Sequence, residues 1–521
     1  MPVDVTLILT PKQASSETYV KDQAIRKLGY NAADVGNVLI TRKSIDARRG
    51  KVRVNIGLRV YGKHEAVDSY FPKFEYKNVT SAPEVIVVGS GPAGLFAALR
   101  LLELGYKPII IERGKDVSAR KRDVAMLNRN KQFNPESNYA YGEGGAGTFS
   151  DGKLYTRSRK RGDINRILSA LYNHGAQEEI LYEAHPHIGT NVLPRVIASI
   201  RSTIEHYGGV IHFNSKVEDL IVENSVAKGV VLSGGEKIRA LGVILATGHS
   251  ARDIYQMLWR KSILVEAKPF AIGVRVEHPQ ELIDTIQYHG IKRESYLPAA
   301  SYSLVDQVEG RGVYSFCMCP GGFIVPAVSG ANEVVVNGMS PSARNSKWAN
   351  SGIVVEVRIE DIPKDTGRDQ LAGLDFQMYL EQLAFSNKVG DGFVAPAQRL
   401  DDFVASRASS SLPQSSYQPG LTASPVHSWL PEGISKRLQQ GFRLFDRRMK
   451  GFVTNEALVV ALESRTSSPI RIPRDTQTLQ HVQIMGLFPC GEGAGYAGGI
   501  VSSAVDGERC AEAFALWNGT I

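Results

Sequence analysis

The chain has 521 residues, of which 43% are hydrophobic and 22% charged, with 50 glycines and only four cysteines. This composition is typical of a globular protein and argues against intrinsic disorder, and no run approaches the roughly 20 apolar residues that a membrane-spanning helix needs. The N-terminal residues lack the basic start and long apolar core of a secretory signal. Because four cysteines are too few for a disulfide framework, we expect a cytoplasmic protein.

The net charge of +8 is concentrated in two zones. Residues 1–82 carry 14 basic and 8 acidic side chains, and residues 113–161 carry 12 basic and 5 acidic ones. Solvated surface explains the first zone. Attraction of a phosphate-bearing ligand would explain the second zone if a phosphate site lies close to it.

Residues 1–80 predict a small basic α+β domain. A strand pattern covers residues 3–9, and an amphipathic helix covers residues 17–28. Alternating runs of β-branched residues within 37–61, broken at Arg49-Gly50, indicate a hairpin. Residues 77–83 are the predicted linker to the next domain.

A strand–turn–helix–strand pattern then occupies residues 84–114. An apolar strand, Val85–Val88, precedes a helix from Ala93 to Leu104 and a second strand, Ile109–Ile111. Such a βαβ unit implies a parallel sheet. The turn matches the pattern G-x-G-x-x-G and consists of Gly89, Ser90, Gly91, Pro92, Ala93 and Gly94.

This turn has the context that a dinucleotide site requires. Gly89 permits the tight turn, Gly91 lets the backbone approach a diphosphate, and Gly94 lets helix and strand pack closely. The helix N-terminus offers N–H groups and a partial positive charge. Glu112 ends the next strand and can accept hydrogen bonds from ribose hydroxyls. A fortuitous Gly-rich turn is the alternative.

The second basic zone begins with Arg113, directly after Glu112, and we predict that it surrounds the cofactor. Lys121, Arg122 and Lys153 are candidate contacts for a phosphate. The remaining charge could attract NAD(P)H, an anionic substrate or RNA.

Two further segments match the same glycine pattern, Gly142–Gly147 and Gly493–Gly498. The first follows no buried strand, and the second has no further βα unit behind it. Both therefore predict loops that approach a ligand closely. In the first loop we predict cofactor contacts from Gly145, Ser150 and Lys153.

A flavin dinucleotide needs a second anchor for its ring. The segment CGEGAGYAGGIVSSAVDG near the C-terminus is a Gly-rich turn that opens a helix. The N-terminus of that helix would face the N1/O2 edge of the flavin and stabilise its reduced form. FAD, bound non-covalently, is therefore predicted in preference to NAD, with contacts from Gly491, Glu492, Gly498, Gly499 and Ile500.

The motif VIVVGSGPAGL with Glu112, the strand-ending Ala246-Thr247-Gly248 and the late PCGE resemble the glutathione-reductase-like flavoproteins. The resemblance implies that Ala246, Thr247 and Gly248 lie near FAD and that the backbone at Lys216–Val217 touches the adenine. The late motif of that class usually ends in Gly-Asp, whereas this chain has Gly491-Glu492.

The whole chain resembles, more narrowly, a bacterial FAD-dependent dehydrogenase family. The resemblance rests on GEGGAGTFSDGKL, PHIGT, FCMCPGG, APAQR, ESRTSSPIR and PCGEGAGYAGGI in this order. It implies FAD and an oxidoreductase, and it supplies no substrate.

The predicted fold class is α/β, with a discontinuous Rossmann-like FAD-binding domain. The rest of the chain predicts helices at 163–173, 192–206, 370–386 and 434–448, a strand meander at 210–247 and many strands between 266 and 360. We predict an N-terminal domain at 1–80, an FAD-binding domain at 81–265 and 465–521, and an inserted α+β substrate or cap domain at 266–464.

Candidates for the chemistry are few. Cys317 and Cys319 form a C-x-C pair that could be redox-active or bind a metal, although no further zinc ligands lie adjacent. In a regular strand the two would share one face and could line one wall of a site. Two small buried hydrophobic residues are the alternative. Arg465 is a candidate anion or substrate clamp, with a structural ion pair as the alternative; Arg407 and Arg471 are weaker candidates.

His185 and His187 could face one site, with capping of the following helix or packing as the alternative. Cys490 precedes the late Gly-rich turn and could lie near the flavin ring, with a buried packing cysteine as the alternative. No metal-ligand pattern surrounds the histidines, and no metal site is predicted.

The predicted function is that of a FAD-dependent oxidoreductase that transfers hydride through flavin N5, in two half-reactions, to or from a small-molecule substrate, for which an anionic compound is one candidate. NAD(P)H or another protein would be a transient electron donor, because no second nucleotide fold is present. Two alternatives stay open, an RNA-acting flavoprotein that uses the basic N-terminal domain and a flavin-binding sensor without turnover. No membrane partner is expected.

Overall fold

A computed structural model describes most of the chain, in seven stretches that are residues 2–48, 50–67, 72–130, 132–156, 162–290, 293–363 and 367–519. Arg49 of the predicted hairpin turn, Lys131, and four basic residues of the second zone at 157–161 lie outside the described residues.

The N-terminal unit is a three-stranded antiparallel sheet with two helices on one face. Its elements in chain order are β1 (Val3–Leu9), α1 (Pro11–Ala14), α2 (Glu17–Leu28), β2 (Val35–Asp46) and β3 (Arg53–Gly62). The strand order is β1-β3-β2. Alternate residues of β1 and β3 are buried against α2, as the period of two in their sequences predicts. β2 and β3 confirm the predicted antiparallel pair.

A five-stranded parallel sheet forms the centre of the molecule. Its strands lie in the order β22 (Leu487–Pro489), β10 (Val243–Leu245), β4 (Glu84–Val88), β5 (Lys107–Ile111) and β6 (Val210–His212). The elements between residues 84 and 260 are β4 (Glu84–Val88), α3 (Pro92–Leu104), β5 (Lys107–Ile111), α4 (Val117–Asn130), α5 (Ile164–Asn173), α6 (Leu193–His206), β6 (Val210–His212), β7 (Val217–Glu223), β8 (Val226–Leu232), β9 (Lys237–Arg239), β10 (Val243–Leu245) and α7 (Arg252–Arg260).

Both faces of this sheet are covered, which is why the buried residues of β4, β5 and β10 are apolar. In β4, Val85 and Val87 join a core formed with α3, α5 and α6, whereas Ile86 and Val88 join a second core on the α7 side. The predicted meander at 210–247 needs a correction. Only β7, β8 and β9 form an antiparallel sheet, because β6 pairs with β5 in the parallel sheet instead.

The next part of the chain builds a seven-stranded, mostly antiparallel sheet and a small hairpin. After the short strand β11 (Glu266–Ala267), the elements are β12 (Phe270–Pro279), α8 (Gln280–Gln287), β13 (Val305–Val308), β14 (Arg311–Cys319), β15 (Phe323–Pro326), β16 (Val336–Met339), β17 (Trp348–Val357), α9 (Ala372–Ser386), β18 (Ala395–Arg399), α10 (Leu400–Val404), β19 (Leu421–Ala423), α11 (Val426–Trp429), α12 (Glu432–Arg448) and β20 (Leu458–Glu463). β15 and β16 form the hairpin, and the order of the seven-stranded sheet is β13-β14-β17-β12-β20-β18-β19. Helices α8 and α10–α12 pack on it to form the largest core.

The chain then returns to the parallel sheet. β21 (Ile470–Arg471) pairs with β11, β22 (Leu487–Pro489) lies beside β10, and α13 (Ile500–Trp517) packs along α3. The close approach of the two helices depends on Gly507, where a Cβ atom would lie 2.1 Å from the carbonyl oxygen of Ala93. The last segment of the chain is thereby fixed beside the first turn of α3. Among the described residues, we find no helix with the length and apolarity to cross a bilayer.

Candidate functional site

One cavity of about 390 Å³ lies at the carboxyl ends of the parallel strands. Ligands of open α/β sheets bind in this position. Val88, Ile111 and Ala246 line its floor at or just beyond the ends of β4, β5 and β10, while Phe316 and Asn337 line it from the side of the seven-stranded sheet.

The turn between β4 and α3 forms one end of the cavity. Gly89 has a φ of +101°, and a Cβ atom there would lie 2.8 Å from the carbonyl oxygen of Ala246. A Cβ atom on Gly94 would lie 1.9 Å from the carbonyl oxygen of Gly89. No side chain caps the start of α3, where Gly91 is the N-cap residue, so its N-terminal N–H groups are available to an anion.

Glu112 joins this turn to the Gly-rich loop. Its Oε2 accepts hydrogen bonds from the N–H of Ser90 (3.0 Å) and the hydroxyl of Ser90 (2.7 Å). Its Oε1 accepts from the N–H groups of Gly114 (2.9 Å) and Gly142 (3.0 Å). A carboxylate has about four acceptor positions, so protein donors fill all of them. A ribose hydroxyl would therefore have to displace one of these donors.

The Gly-rich loop lies against the same turn, and its predicted approach to a ligand stays a prediction. A Cβ atom on Gly145 would lie 3.1 Å from the Cα of Gly91. The side chain of Arg120, on α4, is completely buried and fixes the loop by hydrogen bonds. Its guanidinium donates only to backbone carbonyls, at 2.8–3.1 Å, which belong to Asn138, Tyr139, Gly142, Glu143 and Gly145. Burial lowers the pKa of Arg120 to about 10, against the opposing influence of Glu112 and Glu143.

The N-terminus of α13 closes the other side of the cavity. Gly498, Gly499 and Ile500 line it, and α13 also starts without a side-chain cap. A Cβ atom on Gly147 would lie 3.2 Å from Ile500 and 3.7 Å from Pro92, so the starts of α3 and α13 are neighbours across one residue. The two predicted anchors of a dinucleotide therefore lie in one cavity.

The cavity walls fit FAD in a further respect. At positions 248, 498 and 499, no heavy atom of the described residues lies within 4 Å of the place where a Cβ atom would stand. Because these glycines carry no side chain, the space beside their backbone stays open toward the cavity. A planar flavin ring or a ribityl chain could therefore lie directly against the backbone there. Glu492 also lines the cavity, and its Oε1 lies 3.0 Å from Nδ1 of His249.

Comparisons with known proteins agree with this geometry. Residues 82–129 match the model of a FAD binding domain, residues 269–466 match a model described as FAD-dependent protein, C-terminal domain-like, and residues 1–61 match a domain of unknown function. An uncharacterized protein of Clostridium beijerinckii is 42% identical over 507 residues, which cover 94% of each chain. The chain belongs to a family of FAD-dependent proteins. The prediction of a flavoprotein is thereby confirmed.

Other relatives match a smaller part of this FAD-dependent protein. The thiamine thiazole synthase of Aeropyrum pernix is 29% identical over 183 residues, which are 32% of this chain and 55% of that enzyme. A geranylgeranyl bacteriochlorophyll reductase-like protein of Thermoplasma acidophilum superposes with a TM-score of 0.35 and 15% identity, over 84% of this chain and 79% of that one. A likeness at that TM-score adds nothing to the assignment.

Most of the predicted cofactor residues of the FAD-dependent protein line the cavity. They are Gly89, Gly91, Pro92, Ala93, Glu112, Arg113, Gly145, Ser150, Lys153, Val217, Ala246, Thr247, Gly248, Glu492, Gly498, Gly499 and Ile500. Three do not line it. Ser90 is buried and bonded to Glu112, Gly94 packs under Gly89, and Gly491 donates its N–H to Asp506 at 2.8 Å.

The predicted clamp Arg465 is a structural ion pair, which was the stated alternative. It touches the cavity, but its Nη2 lies 2.7 Å from Glu333 and 3.1 Å from Glu381. Burial alone would lower the pKa of Arg465, but the two carboxylates outweigh burial and raise it. With both acids engaged, Arg465 has little charge left to offer an anionic substrate.

The C-x-C pair also departs from expectation. Cys317 lines the cavity and is half-buried, whereas Cys319 is completely buried and does not line it. The regular alternation that would place both on one face is broken by a β-bulge, since Phe316 pairs with Gly352 and Cys319 with Asn350.

Several weaker candidates lie elsewhere. Lys121 and Arg122 are exposed on α4 and do not line the cavity, so the expected phosphate contacts are wrong for these two. His185 packs against Tyr155, and His187 bonds the carbonyl oxygen of Ser342; neither caps α6. Arg407 pairs with Asp402, and Arg471 is exposed.

Cys490 is a buried packing residue, again the stated alternative. Together with Asp506 and Cys510 it brings three possible metal ligands within 4.8 Å of one another. The guanidinium of Arg474 already occupies this cluster, with Nη1 2.9 Å from Asp506 and 3.3 Å from Cys510. Because this guanidinium is already hydrogen-bonded to two of the three possible ligands, we assign no metal ion to the cluster.

Sequence reasoning missed four residues of the site. The sequence marks Arg120 only as one charge of the second basic zone, and it does not single out His249, Phe316 and Asn337, which line the cavity. A signal existed for His249, which directly follows Ala246-Thr247-Gly248. For Phe316 the adjacent Cys317 was the available signal.

Proposed function

We propose that the protein is a FAD-dependent oxidoreductase that passes hydride between a small substrate and the flavin. The observation that carries this proposal is the single cavity onto which the N-termini of α3 and α13 both open. FAD, when bound, supplies two-electron chemistry at N5 of its ring. The roles below follow from the positions of the chain's own residues.

The start of α3 would bind the diphosphate. The uncapped N–H groups after Gly91 and the positive end of the helix dipole stabilise an anion there. The adenosine would lie between Arg113 and Val217, which line the same cavity as Glu112. Arg113 is itself paired with Glu136 and Asp253, which raises its pKa in spite of burial, so its guanidinium is fixed in place.

The start of α13 would hold the ring, and Glu492 with Gly248 would border the ribityl chain. A positive helix end beside the ring favours a reduced, negatively charged flavin. The substrate would then approach from the side of the seven-stranded sheet, where Phe316, Cys317 and Asn337 line the cavity. Lys153, which donates to the carbonyl oxygen of Met318, is the cationic side chain available there for an anionic substrate.

The electron donor proposed is NADH or NADPH, bound transiently. The alternative of an RNA-acting flavoprotein stays a prediction, and the structure gives it no specific support. In the N-terminal unit, Lys21, Arg48 and Arg59 are each paired with an acidic side chain, which reduces the field that a phosphate backbone would meet. The flavin sensor also stays a prediction.

The decisive variant is Gly91→Ala. Gly91 has a φ of −72°, which alanine adopts freely, and its Cβ atom would meet only Gly145 Cα, at 3.8 Å. The variant should therefore fold like the wild type, while its methyl group occupies space that the diphosphate needs. We expect wild-type full chain to purify with about one FAD and to be bleached anaerobically by NADH or NADPH.

For Gly91→Ala we expect FAD affinity to fall at least tenfold with an unchanged unfolding midpoint of the apoprotein. Gly433→Ala, on the exposed start of α12, is the matched control and should bind FAD normally. A wild-type protein that holds a nicotinamide nucleotide and no flavin would overturn the proposal.

A further inference from the structure

The end of strand β14 has an unusual backbone where it borders the cavity. Cys317 has a φ of +47°, in the left-handed region that non-glycine residues rarely adopt. The strand carries one extra residue at this point, because three steps from Phe316 to Cys319 face two steps on β17. The bulge turns Cys317 toward the cavity and leaves Cys319 in the core.

Two cations hold this backbone in place. Nη2 of Arg275 donates to the carbonyl oxygen of Cys317 at 2.7 Å, and Nζ of Lys153 donates to the carbonyl oxygen of Met318. Arg275 is completely buried and is fixed by Glu463, at 2.7 Å. A sparsely populated conformation that surrounding groups over-determine in this way is typical of functional sites.

The side chain of Cys319 lies directly beside Cys317, because its thiol donates a hydrogen bond to the Cys317 carbonyl oxygen at 3.2 Å. Nη2 of Arg275 lies 3.5 Å from the Cys319 sulfur. The hydrogen bond from Cys319 lowers the pKa of Cys317, burial opposes this, and the charges of Lys153 and Arg275 add to the lowering. The pKa of Cys319 is raised.

This division of roles matches a reactive dithiol. The attacking sulfur has thiolate character and access to the cavity, and the second sulfur is protected and protonated. Cys490 and Cys510 lack these features, because both are completely buried in the core and neither lines the cavity.

We propose that Cys317 and Cys319 form a dithiol–disulfide couple that exchanges two electrons with the flavin in the cavity. This inference rests on the proposed function. In the oxidative direction the Cys317 thiolate and the Cys319 thiol form an S–S bond, and the S–H bond of Cys319 breaks. The two electrons and that proton are taken up by oxidised FAD, so that charge and protons balance. The same step in reverse reduces the disulfide at the expense of reduced flavin.

The couple predicts a redox stoichiometry. Air-oxidised full-chain holoprotein is titrated anaerobically with dithionite while flavin absorbance is followed. Wild type should need two two-electron equivalents of dithionite for each bound FAD, one for the flavin and one for the disulfide. Cys317→Ser and Cys319→Ser should each need one such equivalent. Cys510→Ala, at a buried cysteine away from the cavity, is the matched control and should need two.

Alkylation with mass analysis gives a second readout that does not depend on turnover. The peptide that contains Cys317 and Cys319 should carry no alkyl group in the oxidised protein and two after reduction. A wild type that takes up one equivalent, with both thiols alkylated in the air-oxidised state, would overturn the couple while leaving the proposed function intact. Failure of the proposed function would show itself differently, as a pure protein without flavin.

Discussion

Gly94 has room for a hydrogen atom and nothing larger, since a Cβ atom there would lie 1.9 Å from the carbonyl oxygen of Gly89. Relief of that clash would have to push α3 away from β4. We expect Gly94→Ala to lower the free energy of unfolding of the apoprotein by about 3 kcal/mol, the upper part of the range for overpacking. Chemical denaturation of apoprotein measures it.

Gly91→Ala is the contrasting variant for Gly94→Ala. Both glycines belong to one turn, yet substitution at 91 should affect the ligand and substitution at 94 the fold. Gly433→Ala controls for the change of residue type in a helix. An apoprotein of Gly94→Ala with wild-type stability would mean that α3 does not pack on β4 as described.

The buried imidazole of His278 should make the free energy of unfolding depend on pH. It is completely buried, its Nε2 lies 2.8 Å from the carbonyl oxygen of Phe452, and its Nδ1 has no partner among the described residues. Burial lowers its pKa from 6.5 to about 4. Below pH 6.5 the unfolded chain binds a proton that the folded chain refuses, so stability falls as pH falls.

The loss attributable to His278 should be complete near pH 4 and amount to about 3 kcal/mol, at 1.36 kcal/mol for each unit of pKa. Unfolding midpoints between pH 7.5 and 4 measure it. Replacement of His278 by Asn should flatten this part of the profile, while His64→Asn, at an exposed site, should leave it as steep as in wild type. An equally steep profile in both variants would refute the assignment.

At the scale of single elements, the Gly-rich loop depends on α4 through Arg120. Arg120→Met keeps much of the apolar stem but removes the five hydrogen bonds from the guanidinium to carbonyls of residues 138–145, and it leaves the carbonyls of Asn138 and Tyr139 without a donor among the described residues. Buried acceptors left without donors are costly, so we expect apoprotein stability to fall by about 3 kcal/mol. FAD affinity should also fall, because the loop would no longer be held against Gly91. Fluorescence titration with FAD and thermal unfolding measure the two effects.

Arg122→Met is the matched control, two residues away on the same helix but exposed. Arg122→Met should change neither the stability of the apoprotein nor its affinity for FAD. If the two variants behave alike, charge near the cavity is responsible and the carbonyl contacts are not.

The difference between Arg120 and Arg122 also shows where sequence reasoning ends. Local patterns predicted the strand at Val85–Val88 and the turn at Gly89–Gly94, because a βαβ turn imposes its glycines within a few residues. Nothing local distinguishes a basic residue that is buried beneath a loop from its exposed neighbour. The partners of Arg120 lie 18 to 25 residues away in a loop of irregular structure.

Cys317 and Arg465 illustrate the same limit. Alternation along a strand predicts one face for Cys317 and Cys319 only if the strand is regular, and the bulge depends on pairing with β17. Arg465 lies beside Glu333 and Glu381, which are more than 80 residues away in the chain. Its charge could be read from the sequence, but its neutralisation by these two acids could not.

At the scale of the whole molecule, a buried cluster of four charges connects the two large sheets. Arg252 belongs to α7, on the parallel-sheet side, and Glu381 belongs to α9, beside the seven-stranded sheet. Their closest atoms are 2.5 Å apart. Arg465 and Glu333 complete the cluster, and all four side chains are mostly or completely removed from water.

Glu381 is central to this cluster, because both arginines and the hydroxyl of Ser464 donate to it. Glu381→Gln keeps the shape but leaves Arg252 and Arg465 to share the charge of Glu333 alone. Removal of one partner from a buried ionic group costs about 3–5 kcal/mol, so we expect a loss of that size in the free energy of unfolding. Glu432→Gln, which removes an exposed ion pair with Lys436, should leave the free energy of unfolding unchanged.

The same cluster also borders the cavity at Arg465. FAD should therefore dissociate faster from Glu381→Gln than from Glu432→Gln, and stopped-flow release of flavin measures that rate. Equal stability and equal release rates in the two variants would show that the sheets are held together by their apolar contacts alone.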